Sequence, residues 1–210
     1  MHAPIFDLNP CSFNPGVAKL SADYTCKTIE MLDQLGGGVV TIHPGKRTAK
    51  RPVGPLDRAR LTVYLDAVSK SVFGTGVTVA IENMPPAVNA QLVTPDAVRD
   101  ILDEYAWLSF TWDYAHAQAA LPDDPFAFLR ECKDRMVNIH ASLGTAEMMH
   151  MPLSGTSAGE QLRCELAAAK YSGLMTFELE DLNFRKNLDY AEKTSVLAAE
   201  AAWFSGLRSI

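Results

Sequence analysis

The sequence lacks several features that mark other classes of protein. Its four cysteines, Cys11, Cys26, Cys132 and Cys164, form no CxxC pair, so neither a disulfide framework nor a cysteine zinc site is indicated. We expect buried, reduced thiols, which are typical of a cytoplasmic protein. No apolar run approaches the roughly 20 residues of a membrane span. The segment MHAPIFDLNP also has no basic region and no cleavage site of a secretory signal.

A glycine-rich GxGxxG turn is missing after every predicted strand, which removes the main signature of a dinucleotide-binding fold. Positive charge is also scarce, since 19 Lys and Arg stand against 25 Asp and Glu, for a net charge of −6. General binding to nucleic acid is therefore disfavoured unless a local basic patch overrides this balance. With 48% hydrophobic residues, residues 1–210 suit a single domain with a sizeable core.

Short apolar runs alternate with helical stretches along the whole chain. Six runs rich in Val, Ile, Leu and Phe are predicted as buried parallel strands, at about 2–8, 37–43, 76–82, 108–113, 135–140 and 174–179. Helix starts are indicated by Ser21 as a cap, by Pro55 and by Thr94 before Pro95. The alternation predicts an α/β fold. A TIM (β/α)8-type barrel is favoured over a doubly wound sheet because nearly every strand ends in a polar residue.

The predicted barrel is incomplete. Six βα units are recognisable where a closed barrel of this type uses eight, so the first two units are missing. An open barrel exposes two strand edges, which proteins normally cover. We therefore expect either the loss of an N-terminal portion that carried these units or a partner chain over the gap, such as a second copy in a homo-oligomer.

Four successive predicted strands end in residues that can bind a cation, namely Glu82, Asp113, His140 and Glu178. In a parallel barrel the carboxyl ends of the strands point into one shared mouth. Three carboxylates and one imidazole suit Zn²⁺, Mn²⁺ or Mg²⁺, and spacing alone does not choose between these metals. The sequence therefore predicts a divalent metal site at the mouth.

Two further histidines end the strands that precede Glu82. With the Glu82 carboxylate as a bridge, His2 and His43 could hold a second cation; alternatively, one of them orients the substrate. His116 lies in the turn beyond Asp113, and His150 lies in a later loop. They are candidates for a third metal site or for substrate contact. The third site is the weaker prediction because the two imidazoles bring no carboxylate with them.

Other polar residues near these strand ends have less specific roles. Asn83, directly after Glu82, could fix that carboxylate, reach the substrate or be structural. Trp112 alternates with Asp113 and is predicted to face the helices as part of the core. Glu180 points to the same side as Glu178 but farther out, as a candidate acid or base.

A basic segment follows His43. Within it, Lys46, Arg47 and Arg51 are predicted to bind a phosphate group of the ligand, because this local excess of positive charge lies at the mouth of an acidic protein. A solvated charged loop is the alternative interpretation.

These motifs resemble the xylose-isomerase-like TIM-barrel superfamily, which joins sugar isomerases and epimerases with the endonuclease IV type of AP endonuclease. The resemblance covers nearly the whole chain and is carried, in order, by HAPIFDLNP, VVTIHPG, IENMP, DYAHA, NIHASLG, HMPLSG and FELE. It implies metal ligands at Glu82, Asp113, His140 and Glu178. The endonuclease pattern would add His2 and His43 to one metal, and His116 and His150 to another.

The chain departs from the endonuclease pattern at two places. Met148 stands two residues before His150, where that pattern has an Asp ligand, and a thioether does not replace a hard, charged oxygen for zinc. Ala141 and Ser142 stand where that family usually has Asn and Asp. These departures weaken the third zinc site and, with it, phosphodiester cleavage.

The leading hypothesis from sequence is a sugar or sugar-phosphate isomerase or epimerase that works through a metal-stabilised enediolate. Glu82 and Glu178 would act as acid and base, and His43 would orient the substrate. The rival is a zinc-dependent AP endonuclease that binds DNA. A third hypothesis is a truncated homologue that keeps the ligands but has no activity.

Overall fold

The computed structural model describes residues 1–48, 52–145, 148–180, 184 and 187–205. Its sheet has five parallel strands in chain order, with each strand paired to the next. Each of these crossovers contains at least one helix. The strands are β1 (Gly38–Ile42), β2 (Val77–Glu82), β3 (Ser109–Asp113), β4 (Met136–His140) and β5 (Leu174–Thr176). The sheet curls into a half-barrel, so the predicted α/β fold and incomplete TIM barrel are confirmed.

Seven α-helices precede, connect or follow these strands within the described residues. They are α1 (Pro15–Gln34), α2 (Pro55–Val72), α3 (Pro95–Glu104), α4 (Tyr114–Ala120), α5 (Ala127–Cys132), α6 (Ser157–Ala168) and α7 (Tyr190–Ser205). As predicted, α2 begins at Pro55 and α3 begins at Pro95, where the Thr94 hydroxyl accepts a hydrogen bond from the Ala97 N–H.

The strand predicted at 2–8 is wrong. Only His2 bridges β1, opposite Thr41, where the Ala3 N–H donates to the Thr41 carbonyl at 2.9 Å. Pro4 follows and has no N–H to extend the ladder, and Asp7 turns the chain with φ +58°. The segment therefore delivers His2 to the strand ends and then leaves the sheet.

The cap predicted at Ser21 is also wrong, because α1 begins six residues earlier, at Pro15. Asn14 caps this helix by accepting from the Gly16 N–H at 3.0 Å, and Pro15 occupies the first turn. Ser21 lies buried inside the helix. Its hydroxyl donates to the Val17 carbonyl at 2.7 Å and accepts from the Asn9 N–H at 2.8 Å.

Two segments at the mouth differ in detail from prediction. His116, predicted in a turn, lies in α4, because the Asp113 side chain caps a helix that begins directly after β3. The last strand, predicted to reach residue 179, ends at Thr176, so Glu178 extends from the segment that follows it.

The core lies between the sheet and its helices. Trp112 is fully buried against Tyr114 and Phe126, which confirms it as core. All four cysteines are free, but only Cys11 and Cys132 are buried; the prediction of buried thiols is wrong for the exposed Cys164. Among the described helices, none has the length and apolar character needed to cross a bilayer.

Candidate metal centre

The four predicted strand-end ligands converge on one point. Glu82, Asp113 and His140 are the last residues of β2, β3 and β4, and Asp113 pairs in register with His140. His140 Nδ1 lies 2.7 Å from Glu178 Oε2, 3.2 Å from Glu82 Oε1 and 3.7 Å from Asp113 Oδ2. One ligand atom from each of the four residues lies within 4.8 Å of the others. We call these four residues the central cluster.

Glu82 also faces the two earlier histidines. Its Oε2 atom lies 3.0 Å from His43 Nε2 and 3.3 Å from His2 Nε2. One ligand atom from each of these three residues lies within 4.8 Å of the others, which forms the first cluster. Because its two oxygens face opposite neighbours, Glu82 stands between the first and the central clusters.

A third cluster combines Asp113, His116 and His150, again with ligand atoms within 4.8 Å of one another. The sequence-based view that these imidazoles have no carboxylate is therefore wrong. Asp113, rather than residue 148, supplies the oxygen, and Met148 is exposed. The signal was missed because spacing along a chain does not show that a strand-end carboxylate also faces the next helix.

Hydrogen bonds to the rings decide which nitrogen faces the clusters. His2 Nδ1 lies 2.7 Å from the Ala3 carbonyl, and His116 Nδ1 lies 2.9 Å from the Asn83 carbonyl. A carbonyl only accepts, so Nδ1 carries a proton in both rings, and Nε2 is the nitrogen that is left to face a cation. In His150, Nδ1 lies 3.1 Å from Ser142 Oγ. His140 differs, since its Nδ1 faces the carboxylates.

The electrostatics of the central cluster follow from its burial. Burial alone would lower the pKa of His140, but the facing carboxylates of Asp113, Glu178 and Glu82 outweigh it and raise this pKa to about 12. Burial would likewise raise the pKa of Glu82, yet its bonds to His140, His2 and His43 hold that pKa well below the usual range. Burial opposes ionisation of Glu178 too, but His140 lowers its pKa overall.

The donor set fits a divalent cation. Imidazole nitrogens and carboxylate oxygens face one another in a pocket where Glu82, Asp113 and His140 are at most 3% exposed. Asp113 Oδ2 is buried and has no hydrogen-bond partner among the described residues, although a carboxylate oxygen normally accepts. Hard oxygens together with imidazoles suit Zn²⁺ or Mn²⁺, and the identity of the metal is left open.

A cavity of about 490 Å³ borders the first cluster at His43. Its lining includes Ile5, Phe6 and Met84 together with Lys46. Lys46 is exposed at its rim, as a phosphate-binding residue would need to be.

The other two residues of the predicted phosphate site are less simply placed. Arg47 is buried and donates a guanidinium N–H to the Val88 carbonyl, so this N–H is engaged within the fold. Arg51 lies outside the described residues. Of the two predicted residues that the structure describes, Lys46 is therefore the one that is exposed to solvent.

Two residues that support the third cluster were not anticipated. Ser142, which stands at a departure from the endonuclease pattern, contacts the His150 ring. Glu200 is 1% exposed, and its carboxylate accepts from the Leu153 N–H at 2.9 Å and the Ser154 N–H at 3.1 Å, in the loop that follows His150. A single acid in the apolar stretch LAAEAAWF of α7 was the available signal for Glu200.

A parallel half-barrel with imidazoles and carboxylates at the carboxyl ends of its strands defines a TIM-barrel protein with a candidate metal centre. The chain belongs to the xylose isomerase-like TIM barrel family, whose model matches residues 1–205. This confirms the resemblance seen in the sequence.

Several known proteins are similar to this chain. An uncharacterised protein of Methanocaldococcus jannaschii is 30% identical over 190 residues, which are 89% of this chain and 68% of that protein. The crystal structure of a D-tagatose 3-epimerase-like protein superposes with a TM-score of 0.79 at 22% identity, over 99% of this chain and 77% of that chain. The crystal structure of endonuclease IV from Thermus thermophilus superposes with a TM-score of 0.71 at 18% identity, over 98% of this chain and 75% of that chain. Both structures share the fold.

Proposed function

We propose that this chain acts as a divalent-metal-dependent sugar or sugar-phosphate isomerase or epimerase. The observation that carries the proposal is the placement of Glu82 and Glu178 on His140, with one oxygen of each at 3.2 and 2.7 Å from the same nitrogen. Two carboxylates that border one centre are what proton removal and return at a carbon next to a carbonyl require. The names of similar structures, which include an epimerase-like protein, agree with this chemistry.

The central cluster would hold the cation, and its residues are Glu82, Asp113, His140 and Glu178. When bound, a divalent cation supplies a Lewis acid that polarises a substrate carbonyl and stabilises the negative charge that develops on it. The chain supplies the rest: a ligand set held at or just beyond the ends of the strands, next to a cavity of about 490 Å³ that borders His43.

The two glutamates differ in access. The Glu178 side chain is 42% exposed, so it is the more accessible base toward an incoming substrate. Glu82 is 1% exposed and is held as a carboxylate by three imidazoles, so it is the partner acid or base on the inner side. His43, 20% exposed, borders both Glu82 and the cavity and would orient the substrate.

The experiment is a solvent-exchange assay. The full chain is incubated in D₂O with ketohexoses and their phosphates, in the presence of Zn²⁺, Mn²⁺ or Mg²⁺, and deuterium at the carbon next to the carbonyl is followed by NMR. Wild type is expected to incorporate deuterium, and Glu178→Gln is expected to lose this reaction while still binding the metal. Glu30→Gln, on the exposed face of α1, is the control. Wild type that exchanges no proton on any of these sugars with any of the three metals would contradict the proposal.

The third cluster favours zinc-dependent cleavage of DNA at abasic sites as a second candidate. Clustered zinc ions can activate water and stabilise a leaving oxygen, and Asp113 gives His116 and His150 the carboxylate that the sequence alone did not indicate. The net charge of −6 and the inward-turned Arg47 argue against a tight duplex contact. Salt-sensitive nicking of an abasic duplex, together with three bound zinc ions, would reverse the order of the two candidates.

A further inference from the structure

Asn83 holds the main chain of Asp113 from both sides. Its side chain is fully buried; Nδ2 donates to the Asp113 carbonyl at 2.9 Å, and Oδ1 accepts from the Asp113 N–H at 2.7 Å. The β2–β3 register ends at the pairing of Glu82 with Thr111, so no ladder bond reaches Asp113 from β2. At the point where β3 passes into α4, the Asn83 carboxamide therefore makes the two backbone hydrogen bonds that a neighbouring strand would otherwise make.

The main chain of Asn83 acts on His116. The Asn83 carbonyl accepts from His116 Nδ1 at 2.9 Å, while the His116 N–H donates to Asp113 Oδ1 at 2.7 Å. The three residues thus form a closed set of hydrogen bonds. This set leaves the lone pair of the His116 ring on Nε2, and it leaves Asp113 Oδ2 without a hydrogen-bond partner among the described residues.

We infer that Asn83 is a positioning residue, which fixes Asp113 and His116 so that they bind a cation together with His150. The inference rests on the proposed metal-dependent function. Asn83 itself offers no atom to a cation, since both ends of its carboxamide and its carbonyl are engaged. It fixes the backbone of Asp113 and the tautomer of His116, as hydrogen-bonding groups behind metal ligands do.

Positioning by Asn83 and a purely electrostatic effect predict opposite results for one substitution. Asn83→Asp keeps an acceptor for the Asp113 N–H but replaces the donor toward the Asp113 carbonyl with an oxygen. If net charge alone governed affinity, the added negative charge would tighten cation binding. Positioning predicts the opposite, and Asn83→Ala, which loses both bonds, is expected to weaken binding further.

Asn9 offers a matched control. Its carboxamide bonds the main chain of Lys46 in the same two-way manner, with Nδ2 donating to the carbonyl at 2.9 Å and Oδ1 accepting from the N–H at 2.9 Å. Asn9→Ala thus removes the same pair of bonds after β1, remote from the third cluster, together with the bond that Oδ1 accepts from the Cys11 N–H at 3.1 Å. It is expected to leave the cation affinity of that cluster unchanged.

The test is a zinc titration of the full, metal-free chain against a chromophoric chelator, with bound zinc counted per chain. Wild type and Asn9→Ala should bind alike. Asn83→Asp and Asn83→Ala should lose about 10- to 100-fold in affinity at the third cluster, with a loss also at the central cluster that shares Asp113, and His116→Ala should remove the third site alone. Equal affinity in the Asn83 and wild-type proteins would overturn the inference but leave the proposed function standing. A wild type that binds no zinc would remove both.

A second measurement covers the case in which the Asn83 variants do not fold. ¹⁵N NMR of the histidine rings of metal-free wild type, assigned with His116→Gln, reports which nitrogen of His116 carries the proton. Protonation at Nδ1 is expected, and protonation at Nε2 would overturn the inference without any Asn83 variant.

Discussion

The ligands carried by strands and the ligand carried by a loop are positioned by different means. Glu82, Asp113 and His140 end three adjacent strands, and the ladder between β3 and β4 pairs Asp113 directly with His140. Each backbone there is fixed by many shared hydrogen bonds. His150 lies outside the strands and has φ +60°, a left-handed conformation that is uncommon for a residue other than glycine.

Separate contacts fix the loop that carries His150. Leu143 and Met151 form one antiparallel bridge, and Glu200 binds the turn at Leu153. Gly144 lies so close to α4 that a Cβ atom would meet the Ala115 carbonyl oxygen at 2.4 Å. The difference teaches that Glu82 and His140 should lose their positions only with the sheet, whereas the third cluster can be weakened one contact at a time.

Glu82→Gln should have the largest effect, because Glu82 serves both the first and the central clusters. In the metal-free protein it removes the charge that faces three imidazoles, and breaking such a buried pair costs about 3–5 kcal/mol. We expect the lower part of this range, since His140 keeps Glu178 and Asp113. Urea unfolding of the metal-free protein measures the change.

Glu30→Gln again serves as the control, because this exposed acid on α1 lies away from the clusters. In parallel, zinc affinity should fall at both clusters that share Glu82. Unchanged stability and unchanged zinc binding would show that Glu82 does not couple the first and the central clusters.

The pH dependence of the metal-free protein should come next in size. The pKa of His140 is raised to about 12, so its stabilising effect is complete below the ordinary value of 6.5 and is lost as pH rises above it. The pKa of His2 is raised too, and acts with the same sign. Glu82 has a lowered pKa, so its contribution is lost as pH falls below the ordinary value of 4.5.

The free energy of unfolding of the metal-free protein should therefore fall between pH 6.5 and 8.5, by at most about 1.4 kcal/mol per pH unit for His140. Zinc affinity should rise over the same interval, because the cation displaces the proton from His140 Nδ1. Unfolding curves with and without zinc measure both trends. A metal-free stability that rises with pH would contradict the assigned ion pairs.

The contrast between strand-borne and loop-borne ligands also explains which parts of the site the sequence could predict. The strand-end ligands were found because apolar runs identify parallel strands, and the carboxyl ends of such strands meet at one edge of the sheet. The short helix α4 was missed, since YAHAQAA carries no periodic signal long enough to indicate it. The support from Glu200 was missed because 46 or 47 residues separate it from the N–H groups it binds. Which way each oxygen of Asp113 faces is likewise a property of the folded chain.

Glu200→Gln should have a smaller effect on stability and zinc binding, confined to the loop that carries His150. The amide can accept one backbone bond but loses the charge, and a hydrogen bond to a charged group contributes about 1.5–3 kcal/mol. We expect a loss of stability near the lower value and weaker zinc binding at the third cluster alone. Glu165→Gln, an exposed acid on α6, is the matched control. Equal weakening at the central cluster would contradict the separate positioning of the loop.

Lys46→Ala should have the smallest effect, because this side chain is exposed and water screens its charge. An exposed ion pair contributes about 0–1 kcal/mol, which corresponds to at most about a fivefold rise in KM. The rise should appear for a phosphorylated sugar and be absent for the same sugar without phosphate, with kcat unchanged in both. Lys19→Ala, in the i,i+4 pair with Asp23 on α1, is the control. A KM that rises equally for both sugars would show that Lys46 maintains the conformation of its loop, where Asn9 binds its main chain, and does not bind phosphate.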